Sequence, residues 1–279
     1  MIRFYGNPWA SSRIRGEQVV EKLVERGVDA VYNSDDYASK GDKLVFVKCS
    51  PHVDSYEIVK ACESFIDAVD SHGTIIGIKK YEHLKNVSII AIGDLSQTWI
   101  SEQLPDHTVI KIPEHHCNFE NVIRPKDKKI KKVGFCGYMY NFHLPLDQIQ
   151  NMLHAADLEV VVLSDMVHAT RKDICNFYEQ IDIQICYRRD IGVCVPQLKN
   201  PLKVINAASF GVPTVSYLEP AYKECQDILT VSYDIYDMVS GIVQLTDIDY
   251  YNEMSEKCIE FAKDYHIDKI VSKYVEILC

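Results

Sequence analysis

The sequence predicts an α/β protein made of two parallel-sheet halves, and three observations carry the prediction. Short apolar runs alternate with amphipathic helical stretches along the chain, the pattern of strand–helix–strand units that build a parallel sheet. The 279 residues exceed one ordinary unit of this kind and suit two of about 100–150 residues each. The rhythm breaks over residues 113–131 and then restarts.

In the first half the apolar runs are Ile2–Tyr5, Ala30–Tyr32, Leu44–Val47, Thr74–Ile78, Val87–Ile92 and Thr108–Ile112. Between them, Arg15–Arg26 carries Val19, Val20, Leu23 and Val24 on one helical face, with Gly27 as its stop. Tyr56–Val69 repeats the device through Ile58, Val59, Cys62, Phe65, Ile66 and Val69, so one helix is expected there. Asp67 and Asp70 would then share a face at i, i+3, either as an acid/base pair or as surface carboxylates at a helix end. Pro113, Pro125 and the cationic run from Arg124 to Lys132 read as a solvated linker rather than a nucleic-acid patch. The second half opens on a buried strand, Lys132–Cys136, that runs into the Gly137 turn. Runs at Leu158–Leu163, Ile181–Tyr187, Pro213–Leu218 and Ile228–Val231 continue its sheet, and Tyr250–Ala262 and Asp268–Leu278 read as two closing helices. The expected organisation is a domain over 1–118, a linker over 119–131, a domain over 132–249 and terminal helices over 250–279 that pack back toward the first domain.

Composition narrows the function classes. A hydrophobic fraction of 47% and a charged fraction of 25% are those of a soluble globular protein. No stretch approaches the roughly 20 apolar residues of a membrane span, so no transmembrane segment is expected. The N-terminus lacks the basic-then-apolar build of a secretory signal. No two of the 10 cysteines lie three apart, which excludes a Cys-x-x-Cys pair and points to a reducing compartment, hence the cytoplasm. A net charge of −10 argues against general nucleic-acid binding but leaves room for a local cationic site. No Ser–His–Asp or P-loop pattern is present, and no Gly-x-Gly-x-x-Gly follows either first strand. Hydrolase, P-loop ATPase and dinucleotide-dependent dehydrogenase readings are therefore disfavoured.

The richest stretch runs from Lys199 to Glu224: a polar loop, a short helix, the Gly211 stop, a buried strand and a second loop. Pro201 is expected at the first helical position, where its missing N–H costs nothing. The remaining N–H groups and the positive helix end could receive a phosphate, flanked by Lys199 and Lys203. The alternative is an ordinary strand–helix unit with solvated lysines. Tyr187-Arg188-Arg189-Asp190 follows a strand and so falls at the C-terminal sheet edge, where open α/β sheets bind ligands. An arginine there either touches phosphate or belongs to a surface charge pair. Arg13 and Arg15, beside Gly16, carry the same pair of readings. Adjacent His115 and His116 diverge in extended chain and have no second ligand cluster, so no metal is expected. They are either polar contacts in a cleft or structural residues of the linker. Asp247-Ile-Asp249 reads as a helix cap.

The stretch from Lys199 to Glu224 resembles the donor-site signature of GT-B glycosyltransferases, particularly the retaining group 1/family four type, whose helix ends in Ala-x-x-Gly-x-Pro before a strand. The matching residues are Lys203, Asn206, Ala207, Gly211, Pro213 and the Pro220-Ala-Tyr222-x-Glu224 loop. Ser11-Ser12-Arg13-Ile14-Arg15-Gly16 is similar to the family's opening loop, and Pro113–Asn118 followed by Val133–Gly137 resembles its interdomain passage. The resemblance implies two Rossmann-like domains facing each other across a cleft. It implies transfer of a sugar from a nucleotide-diphosphate sugar to an acceptor hydroxyl, with no metal and no further cofactor. Gly137 and Tyr138 would lie by the donor phosphates, with Lys203, Lys199 and Arg188 offsetting the departing diphosphate charge. Asn206 stands where many relatives place a ribose-holding glutamate, and Leu198 stands at its partner position, so the paired-glutamate clamp is absent. Tyr222 and Glu224 are further donor candidates, Glu224 for the ribose. Ser12, Arg13, Arg15, Gly16, His115 and His116 would form the acceptor side. Asp94 either orients an acceptor hydroxyl or caps the following helix. The acceptor is open: a glycan, a protein, a small molecule or a modified DNA base. The alternatives are a catalytically inactive nucleotide- or sugar-binding module and a viral-type DNA-base glycosyltransferase.

Overall fold

A computed structural model describes residues 1–49, 56–69, 82, 86–125, 129–189 and 198–279. The chain divides into two compact units. The first is built from Met1–Glu114 and Ile267–Cys279, with the segment that ends at Asn200; the second begins at His115 and takes in Pro201–His266.

The first unit starts with β1 (Ile2–Gly6), a helical turn at Ala10–Ser12, a π-helical segment at Arg13–Glu17 and α1 (Gln18–Glu25). Val19, Val20 and Leu23 bury the inner face of α1. Its end is a Schellman arrangement: Gly27 N–H bonds the Val24 carbonyl, Val28 N–H bonds that of Leu23, and Gly27 takes φ +79°. There follow β2 (Ala30–Tyr32), β3 (Lys43–Val47), α2 (Tyr56–Ala61), β4 (Glu63–Asp67), β5 (Val87–Ala91), α3 (Asp94–Gln103) and β6 (Val109–Lys111). The strands form one parallel sheet in the order β2-β1-β3-β4-β5-β6.

The single helix expected over Tyr56–Val69 is a correction. Helix α2 stops at Ala61, and Glu63–Asp67 is a strand paired with β3 on one side and β5 on the other. Ile58, Val59 and Cys62 fit helical spacing, but Ser64-Phe65-Ile66-Asp67 is buried at every position, as a strand covered on both faces is, and periodicity cannot separate the two over so short a length. Asp67 therefore ends a strand rather than lying on a helix. The expected strand Thr74–Ile78 and Asp70 lie outside the described residues.

The second unit contains β7 (Lys132–Cys136), α4 (Leu146–His154), β8 (Glu159–Leu163), α5 (Arg171–Gln180), β9 (Ile183–Cys186), α6 (Leu202–Ser209), β10 (Thr214–Ser216), helical turns at Pro220–Ile228, β11 (Leu229–Val231), α7 (Ile235–Gln244) and α8 (Ile248–Ala262). Its sheet is parallel, in the order β11-β10-β9-β7-β8. From β7 the chain goes first to β8 on one side and later to β9 on the other, so a topological switch point lies between β7 and β9. Ile149 and Leu153 of α4 share a core with Met238 and Ile242 of α7. Phe177 and Tyr178 of α5 pack with Ala207 and Phe210 in a separate cluster.

The reading of 113–131 as a solvated bridge is corrected at particular residues, while Glu120, Asn121, Val122, Ile123, Pro125, Lys129 and Lys131 are exposed as expected. Glu114, His115, His116 and Asn118 are buried, and Ile130 joins the core of the second unit. Arg124 folds inward: its Nε donates to Asp182 Oδ1 at 2.9 Å, and its guanidinium lies 4.6 Å from the centre of the Tyr251 ring. Asp182 also accepts from the backbone N–H of Lys131 and Lys132. One buried carboxylate at the entrance of β9 thus draws in an arginine that a charge count assigns to solvent. Lys126, Asp127 and Lys128 lie outside the described residues.

The two closing helices belong to different units. Helix α8 packs on α6, where Ser255 Oγ donates to the Gly211 carbonyl at 2.7 Å, and Asp247 caps its start. Helix α9 (Ile267–Leu278) lies on α1, with Arg26 reaching Asp268 and Ser272. Among the described residues, no helix is long and apolar enough to cross a membrane.

Candidate functional site

The candidate site is built at the C-terminal edge of the second sheet, beside the switch point. Strand β7 ends in Gly137, whose φ of +142° is strained for any residue with a Cβ. The space beside it is occupied by Lys203 from the first turn of α6: a Cβ on Gly137 would lie 2.5 Å from Lys203 Nζ and 2.9 Å from its Cε. The amine also sits 4.8 Å from the centre of the Phe135 ring, a cation–π distance. The backbone beneath is fixed, because Gln184 on β9 donates from Nε2 to the Lys203 carbonyl at 2.9 Å. Pro201 precedes the first turn of α6 and supplies no capping side chain.

After β9, Arg188 donates from Nε and Nη2 to Glu219 Oε2, at 2.9 and 2.5 Å. Glu219 follows β10 and is 4% exposed. Burial pushes its carboxyl above the ordinary glutamate value, and Arg188, Lys203 and Tyr222 pull it back. Burial likewise pushes the Cys186 thiol up to about 11, against the Lys203 charge. Lys203, Arg188, Glu219 and Gly137 therefore form one group, two cations against one carboxylate, at the ends of neighbouring strands. Such a group can hold an anion and can stabilise negative charge that grows during a reaction.

The other candidates fall as follows. Tyr138 is half-buried and stacks on Tyr140, with ring centres 5.2 Å apart. Tyr222 is buried behind Glu219, which its hydroxyl bonds. Asn206, expected at the ribose, is buried, and its Oδ1 accepts from Cys117 N–H at 2.8 Å. That carbonyl fixes the passage from His116 to Cys117. Glu224 is exposed on the turns after β10. Lys199 is half-buried and belongs to the first unit, whereas Lys203 belongs to the second.

In the first unit, Ser12 is buried and its Oγ donates to Asn7 Oδ1 at 2.9 Å. Arg13 is half-buried, and Gly16 is buried where a Cβ would meet the Tyr32 ring at 2.4 Å. Arg15, expected as a helix-start cation on the acceptor side, is 1% exposed. Its Nε donates to Asp67 Oδ2 at 2.6 Å and its Nη2 to the Ile112 carbonyl at 2.8 Å. Tyr274 of α9 donates to the same carboxylate oxygen at 3.1 Å. Burial works against the Arg15 charge, but the Asp67 field outweighs it and keeps the guanidinium ionised. Asp94 is the first residue of α3; it is exposed and pairs with Lys111 at 2.5 Å, while the cap is Gly93, whose carbonyl accepts from Ser96 Oγ. It is thus not the cap itself, as one sequence reading had it.

His115 and His116 are both buried. The His115 ring nitrogen Nδ1 is 3.0 Å from the His116 carbonyl, and the ring meets Phe119 edge-on. His116 packs against His266 and is pushed down to about 3, by burial first and then by the neighbouring imidazoles. Among the described residues, no group of three or more His, Cys, Asp or Glu could hold a metal ion. Glu219 and Gln184 were not singled out from the sequence. Glu219 was within reach of the same edge rule that marked Arg188, applied to the strand Pro213–Leu218.

No family model matches the chain. An uncharacterised glycosyltransferase of Haemophilus influenzae is 27% identical over 142 residues, which are 47% of this chain and 36% of that protein. The chain thus spans well under two thirds of that relative. Among solved structures, the pneumococcal O-GlcNAc transferase GtfA in complex with UDP and GlcNAc superposes with a TM-score of 0.61 and 12% identity, over 86% of this chain and 57% of that one. An α,α-trehalose-phosphate synthase (UDP-forming) from Burkholderia vietnamiensis gives 0.60 and 8%, over 86% and 73%. The likeness at these identities is one of fold, and the fold is that of the GT-B glycosyltransferases.

Proposed function

We propose that the chain is a glycosyltransferase that moves a sugar from a nucleotide-diphosphate sugar to an acceptor hydroxyl, without a metal ion. The observation that carries the reading is Lys203 lying over Gly137 beside the Arg188–Glu219 pair, at the strand ends of a GT-B sheet. In such a transfer the bond between the anomeric carbon and the diphosphate oxygen breaks, and the oxygen keeps the electron pair. The charge on the diphosphate therefore grows toward the transition state. A cation whose attraction rises with that charge lowers the barrier, whereas one that binds substrate and transition state equally does not. Lys203 has that role, and Arg188 joins it with a direction fixed by Glu219. The uncharacterised glycosyltransferase and the two UDP-associated structures support the same activity class and make UDP the first nucleotide to test. A cytoplasmic setting is part of the same proposal and rests on the spacing of the cysteines, no two of which lie three apart.

A second reading, binding without turnover, is favoured by Asn206, whose side-chain carbonyl is already committed to Cys117 N–H. The test is a thermal-shift titration with UDP. At 100 times its dissociation constant the ligand should stabilise the fold by about 2.7 kcal/mol. Lys203→Ala should weaken UDP binding while leaving the unliganded melting point within a few degrees, since the side chain is only half-buried. Unchanged UDP affinity in that variant removes the assigned role. Release of free sugar from a UDP-sugar then separates an enzyme from a binding module.

A further inference from the structure

The face of the second sheet that carries α4 and α7 holds a cavity of about 580 Å³, formed by the loops after β7, β9 and β11. His143 and Pro145, Tyr187 and Arg189, and Tyr233 and Asp234 are contributed by the three loops in turn. None of them belongs to the Lys203 group. Arg188 is bonded to Glu219, whereas its neighbour Arg189 lines the cavity.

The three loops are tied together. His143 N–H donates to the Tyr187 carbonyl at 2.9 Å, and the Tyr187 hydroxyl donates to the Tyr233 carbonyl at 2.5 Å. Asp234 Oδ1 accepts from Tyr236 and Asp237 N–H at 2.8 and 2.9 Å, which fixes the start of α7. A cavity braced in this way is formed before any ligand arrives. Its volume is within the range of about 300–1,000 Å³ usual for small-ligand sites. Tyr233 is 62% exposed; its ring meets Tyr217 edge-on, with centres 6.4 Å apart, and leaves an aromatic surface to solvent.

We infer that this cavity is a saccharide-binding site that takes a neutral, pyranose-containing glycan. A pyranose has a C–H face that packs on an aromatic ring and a rim of hydroxyls that both donate and accept. Tyr233 and the apolar body of Pro145 meet the first requirement, and Arg189 as donor and Asp234 as acceptor meet the second. Among the described lining residues the Arg189 cation and the Asp234 carboxylate offset each other, so a charged ligand would meet repulsion as well as attraction from them. None of its described lining residues is part of the proposed donor site, and its occupant is held rather than transformed there.

The test is saturation-transfer NMR on the full chain with cellobiose, maltose and lactose as probes at millimolar concentration. Transfer to pyranose ring protons is expected for at least one of them. Tyr233→Ala should weaken that binding about fivefold, the change produced by about 1 kcal/mol. Arg189→Gln should weaken it in the same direction. Tyr233→Ala keeps the carbonyl that Tyr187 bonds, and a thermal melt confirms that the variant folds. Lys203→Ala should leave the saccharide signal intact, so failure of the donor site and failure of this one are told apart. No transfer from any of the three disaccharides overturns the inference. So does transfer that survives Tyr233→Ala and Arg189→Gln undiminished, or that disappears in Lys203→Ala.

Discussion

Replacing Gly137 by alanine tests the contact on which the proposed donor site rests. The added methyl carbon would lie 2.5 Å from Lys203 Nζ and 2.9 Å from its Cε, with Phe135 Cζ at 3.6 Å. The lysine tail can swing away, so the steric conflict is relieved mainly by losing its place over the Phe135 ring, at about 0.5–1 kcal/mol. The backbone cannot be relieved so simply, because φ is +142° and an alanine held there costs about 1–3 kcal/mol. Gly137→Ala should therefore lose about 1.5–4 kcal/mol of stability in urea unfolding. A displaced amine also gives up a charge-assisted contact with diphosphate of about 1.5–3 kcal/mol, a loss of about 10- to 150-fold in UDP affinity. Glycine acts on UDP only through the lysine, so the double variant Gly137→Ala, Lys203→Ala should bind UDP no worse than Lys203→Ala alone. If calorimetric titration shows Gly137→Ala weakening UDP equally with and without Lys203, the reasoning is refuted.

Two other perturbations bear on the buried charges. Glu219→Gln keeps the side-chain shape but removes the counter-charge of Arg188, so the unliganded protein should melt lower. Saturating UDP should then raise the melting point by more than in the parent, because the diphosphate supplies the missing charge; an equal or smaller rise would contradict this. His116 is held at about 3, whereas an unfolded histidine titrates near 6.5, so the unfolded chain binds the extra proton between those values. The His116 contribution is complete above the unfolded value and is lost as pH falls, by about 1.4 kcal/mol per unit until the folded value is reached. His116→Phe should flatten the fall in unfolding free energy between pH 6 and 4 by about one proton, and an unaltered slope would show that the burial does not act in this way.

The strands were legible where apolar runs were bounded by polar loops, as in Ile2–Gly6 and Val87–Ala91, since a parallel sheet covered on both faces needs continuous hydrophobic segments. The position of Arg188 was legible because the edge rule depends only on where strands end, and that of Lys203 in the first turn of a helix because Pro201 marks where the helix begins. The segment Phe65-Ile66 was not, because six apolar positions in fourteen residues satisfied a helical period while the pairing of β4 with β3 and β5 decided the outcome. Arg15 was misread for a different reason. Its partner Asp67 lies 52 positions away, and local charge says nothing about a counter-ion that only the sheet brings near. The same limit applies to Arg124 and Asp182, 58 positions apart.

Leucine at 198 and asparagine at 206, where the resemblance implies paired glutamates, each have a physical reason within their own unit. Leu198 is buried in the hydrophobic core of the first unit, and Asn206 spends its carbonyl on the backbone at Cys117 in the second. Both positions are thus occupied by the internal needs of their own unit. An ionised glutamate at 206 would place a charge where a neutral amide now sits 8% exposed, beside a backbone N–H that alone would not repay its desolvation. A neutral asparagine is the residue that holds the 116–117 passage without that cost. The carboxylate of Glu219, beside Lys203, is already bound to Arg188. Recognition of a donor would therefore fall on its diphosphate, met by Lys203 and the clamped Arg188, more than on its ribose.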